Sequence, residues 1–214
     1  MAIIFDVGAY VGDSTVKYTD DPNNIVYAFE PTPYLVANQL AQINRPNFIV
    51  VPKAVSNYCG TSKYTITERD DLPCGGGCNS LLEFNDTETL ERTFPNHFVT
   101  KLPDEAKTID VEVITLESFI EERGIDRIDY LHCDAQGQDL NVLKGLGKYK
   151  HIVQQGVVEV IAKNPLYKRD ETTGDENTWE NVEKWLVENG FEITRVESND
   201  VHNNELNLWY RLKV

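Results

Sequence analysis

Apolar residues along this chain fall in short runs, separated by stretches in which they recur every three or four positions. That pattern alternates strands with helices. Ile3 to Val7 reads as a first strand, with a helix expected from about Ser14. Ile25 to Phe29 is a second strand, closed by Glu30 and the turn Pro31-Thr32-Pro33, and Tyr34 to Ile43 has helical character. Phe48 to Val51 gives a third strand, and Tyr64 to Thr67 a small extra one. Between about Glu68 and Asp110 the periodicity is lost, apart from a short helix from Thr87 to Thr93. A loop of that length in a compact domain is usually functional, as a lid or a substrate-binding insertion. Regularity returns at Val111, with a helix from Leu116 to Arg123 and a fourth strand from Ile128 to Cys133, ending at Asp134. A short helix from Asp139 to Leu146 and a fifth strand within Ile152 to Ile161 follow. An amphipathic helix, Trp179 to Glu188, stops at Asn189-Gly190, and two strands (Phe191 to Val196, Leu206 to Leu212) form a closing hairpin.

This order predicts an α/β fold: a single domain over residues 1–214 with a loop insertion at about 68–110. The expected sheet is Rossmann-like and mostly parallel, with one antiparallel strand in the C-terminal hairpin and helices on both faces. Ligands in such sheets sit beyond the carboxyl ends of the strands, where the strand order reverses. That rule selects the loops after Asp6, Glu30, Ala54, Asp134 and Glu159.

Composition narrows the partners. The 214 residues carry 20 Lys and Arg against 35 Asp and Glu, a formal net charge of −15. A nucleic-acid or anionic-membrane surface calls for a basic patch, so neither partner is expected. No uninterrupted apolar segment approaches a membrane span, and the first residues enter a strand with no basic region before them. The expected compartment is the cytoplasm. The four cysteines are Cys59, Cys74, Cys78 and Cys133, with Cys74 and Cys78 flanking a triple glycine. A structural zinc site needs a second close pair of ligands, but His97, His132, His151 and His202 are scattered. Free thiols and no metal are expected.

The chemistry gathers in the stretch IIFDVGAYVGDST, Ile3 to Thr15. Gly8 and Gly12 permit close backbone approaches, and Asp13, Ser14 and Thr15 are suited to starting a helix. Strand, glycine turn and helix start can cradle a nucleotide-like cofactor. The spacing Asp6-x-Gly8-x-x-x-Gly12 lacks the middle glycine of dinucleotide binders, which disfavours a nicotinamide oxidoreductase. An acid before the glycines would repel phosphate but suits an ammonium or a sulfonium. Glu30, ending the second strand, stands where a carboxylate can accept both hydroxyls of a ribose. Ribose and positive charge without phosphate point to S-adenosylmethionine.

Four blocks in order then resemble the FkbM family of class I S-adenosylmethionine-dependent methyltransferases. DVGAYVGDST matches D-V-G-A-N-x-G-x-x-T, with Tyr10 where Asn is usual, and AFEPTP matches A-F-E-P-x-P. AVSNYCG follows the third strand, and HCDAQGQDLNVLKG resembles K-I-D-V-E-G-x-E followed by V-L-x-G. In that last block His132, Gln136 and Asp139 replace Lys, Glu and Glu. The resemblance implies that Asp6, Gly8 and Gly12, with Tyr10, Asp13 and Ser14 around them, line the methionine end of the cofactor. It implies that Glu30, next to Pro31, holds the ribose, and that Lys53 and Ala54 run beside the adenine. Asp134 would face the methionine moiety or an incoming hydroxyl. Members typically O-methylate sugars or small natural products, so the expected acceptor is a hydroxyl of a sugar, glycan or glycosylated small molecule. Candidate bases are Asp134, His132 and Glu159; Ser80 and Gln136 are candidate substrate contacts. The alternative is a catalytically silent binding module that keeps the methyltransferase fold.

Overall fold

The computed structural model describes residues 1–67, 77–93, 98–162, 166–169, 176–198 and 204–213. The chain begins with β1 (Ile3–Val7) and a 3-10 turn (Val16–Asp20), then β2 (Ile25–Phe29), α1 (Pro33–Asn38) and β3 (Phe48–Val51). β4 (Ala54–Val55), β5 (Gly60–Ile66), α2 (Thr87–Thr93), α3 (Leu102–Glu105) and β6 (Lys107–Ile114) follow. The second half holds α4 (Leu116–Arg123), β7 (Tyr130–Cys133), α5 (Asp139–Lys144) and β8 (Gln155–Ile161). It ends with α6 (Trp179–Glu188), β9 (Phe191–Ser198) and β10 (Glu205–Leu212).

Seven strands form the main sheet in the order β3-β2-β1-β7-β8-β10-β9. All neighbours are parallel except β10, which runs antiparallel to both β8 and β9. The chain winds outward from β1 to β3, then returns to the other side of β1 with β7. The order therefore reverses between the paired strands β1 and β7, whose following connections lead to opposite edges of the sheet, the place where such folds open a crevice at the carboxyl ends.

Alternation along β1 sends Phe5 and Val7 into one core and Ile4 into another. Phe5 and Phe29 meet Phe119 of α4 edge to face, with centroids 5.8 and 4.9 Å apart. That face is sealed by α4, α5 and α6, through Leu116, Leu143 and Leu186 among others. The Ile4 face packs against Leu40 and Phe48. Local capping sets the helix starts: Thr115 and Thr178 accept from the N–H groups of Ser118 and Asn181.

Two expectations need correction. No regular helix follows the glycine turn after β1; only the short 3-10 turn forms. Thr15 does not cap it, because its Oγ1 is drawn instead to Asp6 Oδ2 at 2.5 Å. The stretch from 68 to 110 is also not aperiodic throughout its described parts. β6 begins at Lys107 and pairs with both β4 and β5 in a separate three-stranded sheet. Polar alternation on the exposed side of β6 hid this strand, since only one face is buried. Helix α2 does run from Thr87 to Thr93, within a small core of Phe84, Leu90, Val99, Leu102, Leu166 and Tyr167. Among the described residues no helix is long and apolar enough to cross a membrane.

Candidate functional site

A cleft opens at the carboxyl ends of β1, β2 and β7. Its floor is Gly8. The φ of Gly8 is +80, and a Cβ there would lie 1.8 Å from the Asp134 carbonyl oxygen. Only glycine lets the loops after β1 and β7 touch backbone to backbone, an approach reinforced by the bond from Asp134 N–H to Val7 O, 2.9 Å.

The next wall is Glu30, only 4% exposed. Tyr10, held at φ 49, donates its backbone N–H to Glu30 Oε2 at 3.0 Å. Thr32 donates its N–H to Oε1 at 2.8 Å. Each carboxylate oxygen thus has one backbone donor, and the Thr32 hydroxyl adds a side-chain hydrogen bond. Burial pushes the Glu30 carboxyl up, while the bonds from Thr32 and Tyr10 pull it back. Val55, Tyr64 and Leu81 add an apolar part to the lining. Asn79 braces this side by donating to Thr32 Oγ1 (3.1 Å) and accepting from Thr67 N–H (2.8 Å). Lys53 lines the rim and pairs with Glu112 at 2.7 Å.

At the opposite end stand Asp134, Ala135 and Gln136. The Gln136 amide donates from Nε2 to Asp134 Oδ1 at 2.7 Å and to Glu159 Oε2 at 3.4 Å. Burial, then the charge of Asp134, push Glu159 well above the usual carboxylate range. Behind them Asp139, fully buried, accepts from Ala135 N–H (2.7 Å), Gly137 N–H (3.2 Å) and Asn177 Nδ2 (2.9 Å). It shapes the loop after β7, and burial with the nearby Asp134 pushes its carboxyl up to about 7.

Of the residues nominated from sequence, Gly8, Tyr10, Glu30, Pro31, Lys53, Ala54, Asp134 and Gln136 line this cleft. The structure brings Glu159 and Ser80 to its edge through Gln136, whose carbonyl accepts from Ser80 Oγ at 2.7 Å. It turns Asp6 away. Asp6 is wholly buried on the Ile4 face, its oxygens engaged by Thr15 and by His132 Nδ1 at 2.8 Å. His132 is likewise committed to Asp6 and does not line the cleft; burial alone would lower it, but the bond and charge of Asp6 raise it. Gly12 answers a packing demand: a Cβ there would come within 2.7 Å of Ile43. Asp13 is exposed and Ser14 partly so, both outside the cleft.

Sequence reasoning missed Tyr64, Asn79, Leu81, Gln138, Asp139 and Tyr167. Asn79 to Leu82 lay inside a stretch without periodicity, and Tyr167 in no element at all. Among the described residues Cys59, Cys78 and Cys133 are free thiols. Cys74, His97 and His202 lie outside the described residues. No three described His, Cys, Asp or Glu side chains converge as a metal site requires.

Comparison with known proteins bears on this geometry. Residues 6–193 match the family described as methyltransferase FkbM domain. The 31-O-demethyl-FK506 methyltransferase FkbM of Streptomyces tacrolimicus is 30% identical over 155 residues, 67% of this chain and 59% of that protein. Methyltransferase 1 of Beauveria bassiana is 25% identical over 169 residues, 74% of this chain and 64% of that protein. The chain thus spans about three fifths of the length of these relatives. A putative S-adenosylmethionine-dependent methyltransferase from Listeria monocytogenes superposes with a TM-score of 0.51 at 10% identity, covering 100% of this chain and 92% of that one. Magnesium protoporphyrin IX methyltransferase from Synechocystis, solved with bound SAH, gives 0.50 at 9% identity, covering 99% and 74%. At such low identity these two likenesses speak to the fold alone.

Proposed function

This chain belongs to the FkbM methyltransferase domain family, and from that premise we propose that it transfers a methyl group from S-adenosylmethionine to a hydroxyl of a sugar, glycan or glycosylated small molecule. The observation that carries the reading is Glu30, a buried carboxylate with a backbone donor on each oxygen that lines the cleft at the end of β2.

The residues fit the cofactor. Glu30 would hold the ribose hydroxyls, Val55, Tyr64 and Leu81 would line the adenine, and the residues at the β1–β7 junction, with Asp134, would hold the methionine portion. When bound, the cofactor would supply a methyl group on a sulfonium sulfur. The protein's part would be to orient the acceptor hydroxyl beside Asp134, which gives much of the acceleration. Asp134 is the carboxylate placed to take the proton of that hydroxyl. Glu159 keeps its own proton more tightly than an ordinary glutamate. The two acids therefore divide the roles of charged and neutral partner, as paired carboxylates do.

The charge of the acceptor end supports a neutral acceptor. Among the cleft-lining described residues the one cationic side chain is Lys53, at the adenine end and already paired with Glu112. A phosphorylated or carboxylated acceptor would meet Asp134 without compensation.

The test is transfer of labelled methyl from S-adenosylmethionine to a panel of neutral glycosides, matched with their phosphorylated analogues. O-methyl products on the neutral members support the reading. Methylation of nitrogen alone, or preference for the anionic analogues, contradicts it. Cofactor binding without transfer to any panel member favours the silent binding module.

A further inference from the structure

Tyr167 stands behind the acceptor end without lining the cleft, and its place is set by backbone pairing. It forms an antiparallel bridge with Phe84, flanked by bonds from Asn85 N–H to Leu166 O (3.0 Å) and from Lys168 N–H to Glu83 O (2.8 Å). Its ring stacks on Phe84 with centroids 5.4 Å apart. The buried hydroxyl reaches Gln136 Oε1 at 2.6 Å, with the Cys78 carbonyl also in range at 2.8 Å. Burial raises the phenol well above its ordinary range, so it remains a proton donor at neutral pH.

Gln136 needs such a hold. It sits at φ 51, a conformation that favours glycine, and its amide could face the two carboxylates with either end. With NH2 toward Asp134 and Glu159, each proton meets an acceptor. With oxygen toward them, three acceptors would crowd together unless one acid were protonated. The Tyr167 proton placed on Oε1 selects the first orientation, whereas placed on the Cys78 carbonyl it would leave the hydroxyl free to accept from the second. A glutamate at this position, as in the family pattern, has no amide face to choose.

We propose that Tyr167 is a positioning residue whose hydroxyl, donated to Gln136 Oε1, fixes the amide with its NH2 on Asp134 and Glu159 and so favours a negative charge on the pair. The consequence for catalysis rests on the reading of Asp134 as base; the hydrogen-bond arrangement itself does not. Other titratable groups facing this pair are Asp139 of α5, Glu205 of β10, and Cys133 and His132 of β7.

The experiment is a carboxyl 13C NMR titration of the Asp134–Glu159 pair in the wild type, Tyr167→Phe and Gln136→Leu. The apparent midpoints belong to the pair rather than to either acid. Loss of the hydroxyl leaves the amide unanchored, so the upper midpoint rises by about half a unit or more in Tyr167→Phe, and further in Gln136→Leu. Tyr167→Phe keeps the stacked ring, and its affinity for S-adenosylhomocysteine stays within about twofold of wild type, which confirms an intact fold. Tyr167→3-fluorotyrosine, a stronger donor, moves the midpoint downward. An unmoved midpoint in Tyr167→Phe, whether or not Gln136→Leu moves it, overturns the proposal. Failure of the wild type to bind S-adenosylhomocysteine overturns the cofactor reading and leaves the titration interpretable.

Discussion

The two ends of the cleft are built on different plans. At the β1–β2 end a single carboxylate, Glu30, is held by backbone N–H groups from Tyr10 and Thr32, and the floor is a backbone contact that only Gly8 permits. At the β7–β8 end, side chains carry the contacts: the Gln136 amide joins Asp134 to Glu159 and accepts from Tyr167, and Ser80 Oγ donates to the Gln136 backbone carbonyl, both partners lying far away in sequence. The first end is held mainly by main-chain groups, with Asn79 as a distant brace on Thr32. The second depends on side chains brought in from segments distant in the sequence. The first end suits the invariant partner, the cofactor.

The largest expected effect separates a glycine of the scaffold from a glycine of the surface. Gly8→Ala drives a Cβ into the Asp134 carbonyl and destabilises the fold by about 3 kcal/mol or more, with loss of cofactor binding. Gly124→Ala, at φ +63 with nothing within 4 Å, costs only about 1–2 kcal/mol. Chemical denaturation of both variants measures the contrast, and equal losses would remove the special status of the β1–β7 junction.

At the other end, Gln136→Glu places a third carboxylate between Asp134 and Glu159. Methyl transfer at neutral pH falls by about tenfold or more, because like charges disfavour the ionised base, and recovers as the pH is raised. S-Adenosylhomocysteine affinity changes less than turnover. A pH–rate profile identical to wild type would contradict the division of roles between the two acids.

A smaller effect concerns His132 and Asp6, beneath the cleft. The folded His132 binds its proton more tightly than an unfolded histidine, so the pair's contribution is fully present below about pH 6.5 and fades as pH rises through the folded value. The Tm deficit of His132→Gln is therefore greatest at pH 5.5 to 6 and shrinks toward pH 9. A deficit that grows with pH would reverse the assignment. Smallest of all is Lys53→Ala, which removes a part-exposed ion pair with Glu112. Stability changes by less than about 1 kcal/mol.

The same contrast explains what could be read from sequence. β1, β2, β3, α4 and α6 lie where the apolar periodicity puts them, because each buries a face in the core. Glu30 was legible because strand end, acid and proline fall together locally. Asp6 looked like a cofactor ligand for the same local reason, yet alternation along β1 places it on the Ile4 face, and its partner His132 comes from a strand paired only in the fold. Asn79 and Tyr167 reach the site through tertiary contacts, and no local pattern announces those. The three-stranded sheet was hidden because β6, half exposed, alternates with polar residues where a buried strand would not.

Glu30 carries the central claim, and isothermal titration of S-adenosylhomocysteine into the wild type and Glu30→Ala tests it most directly. Removing a carboxylate that takes two hydroxyls forfeits at least about 3 kcal/mol, so micromolar binding in the wild type should weaken by about a hundredfold or more. Equal affinity in both proteins, or no binding to the wild type, would contradict the account.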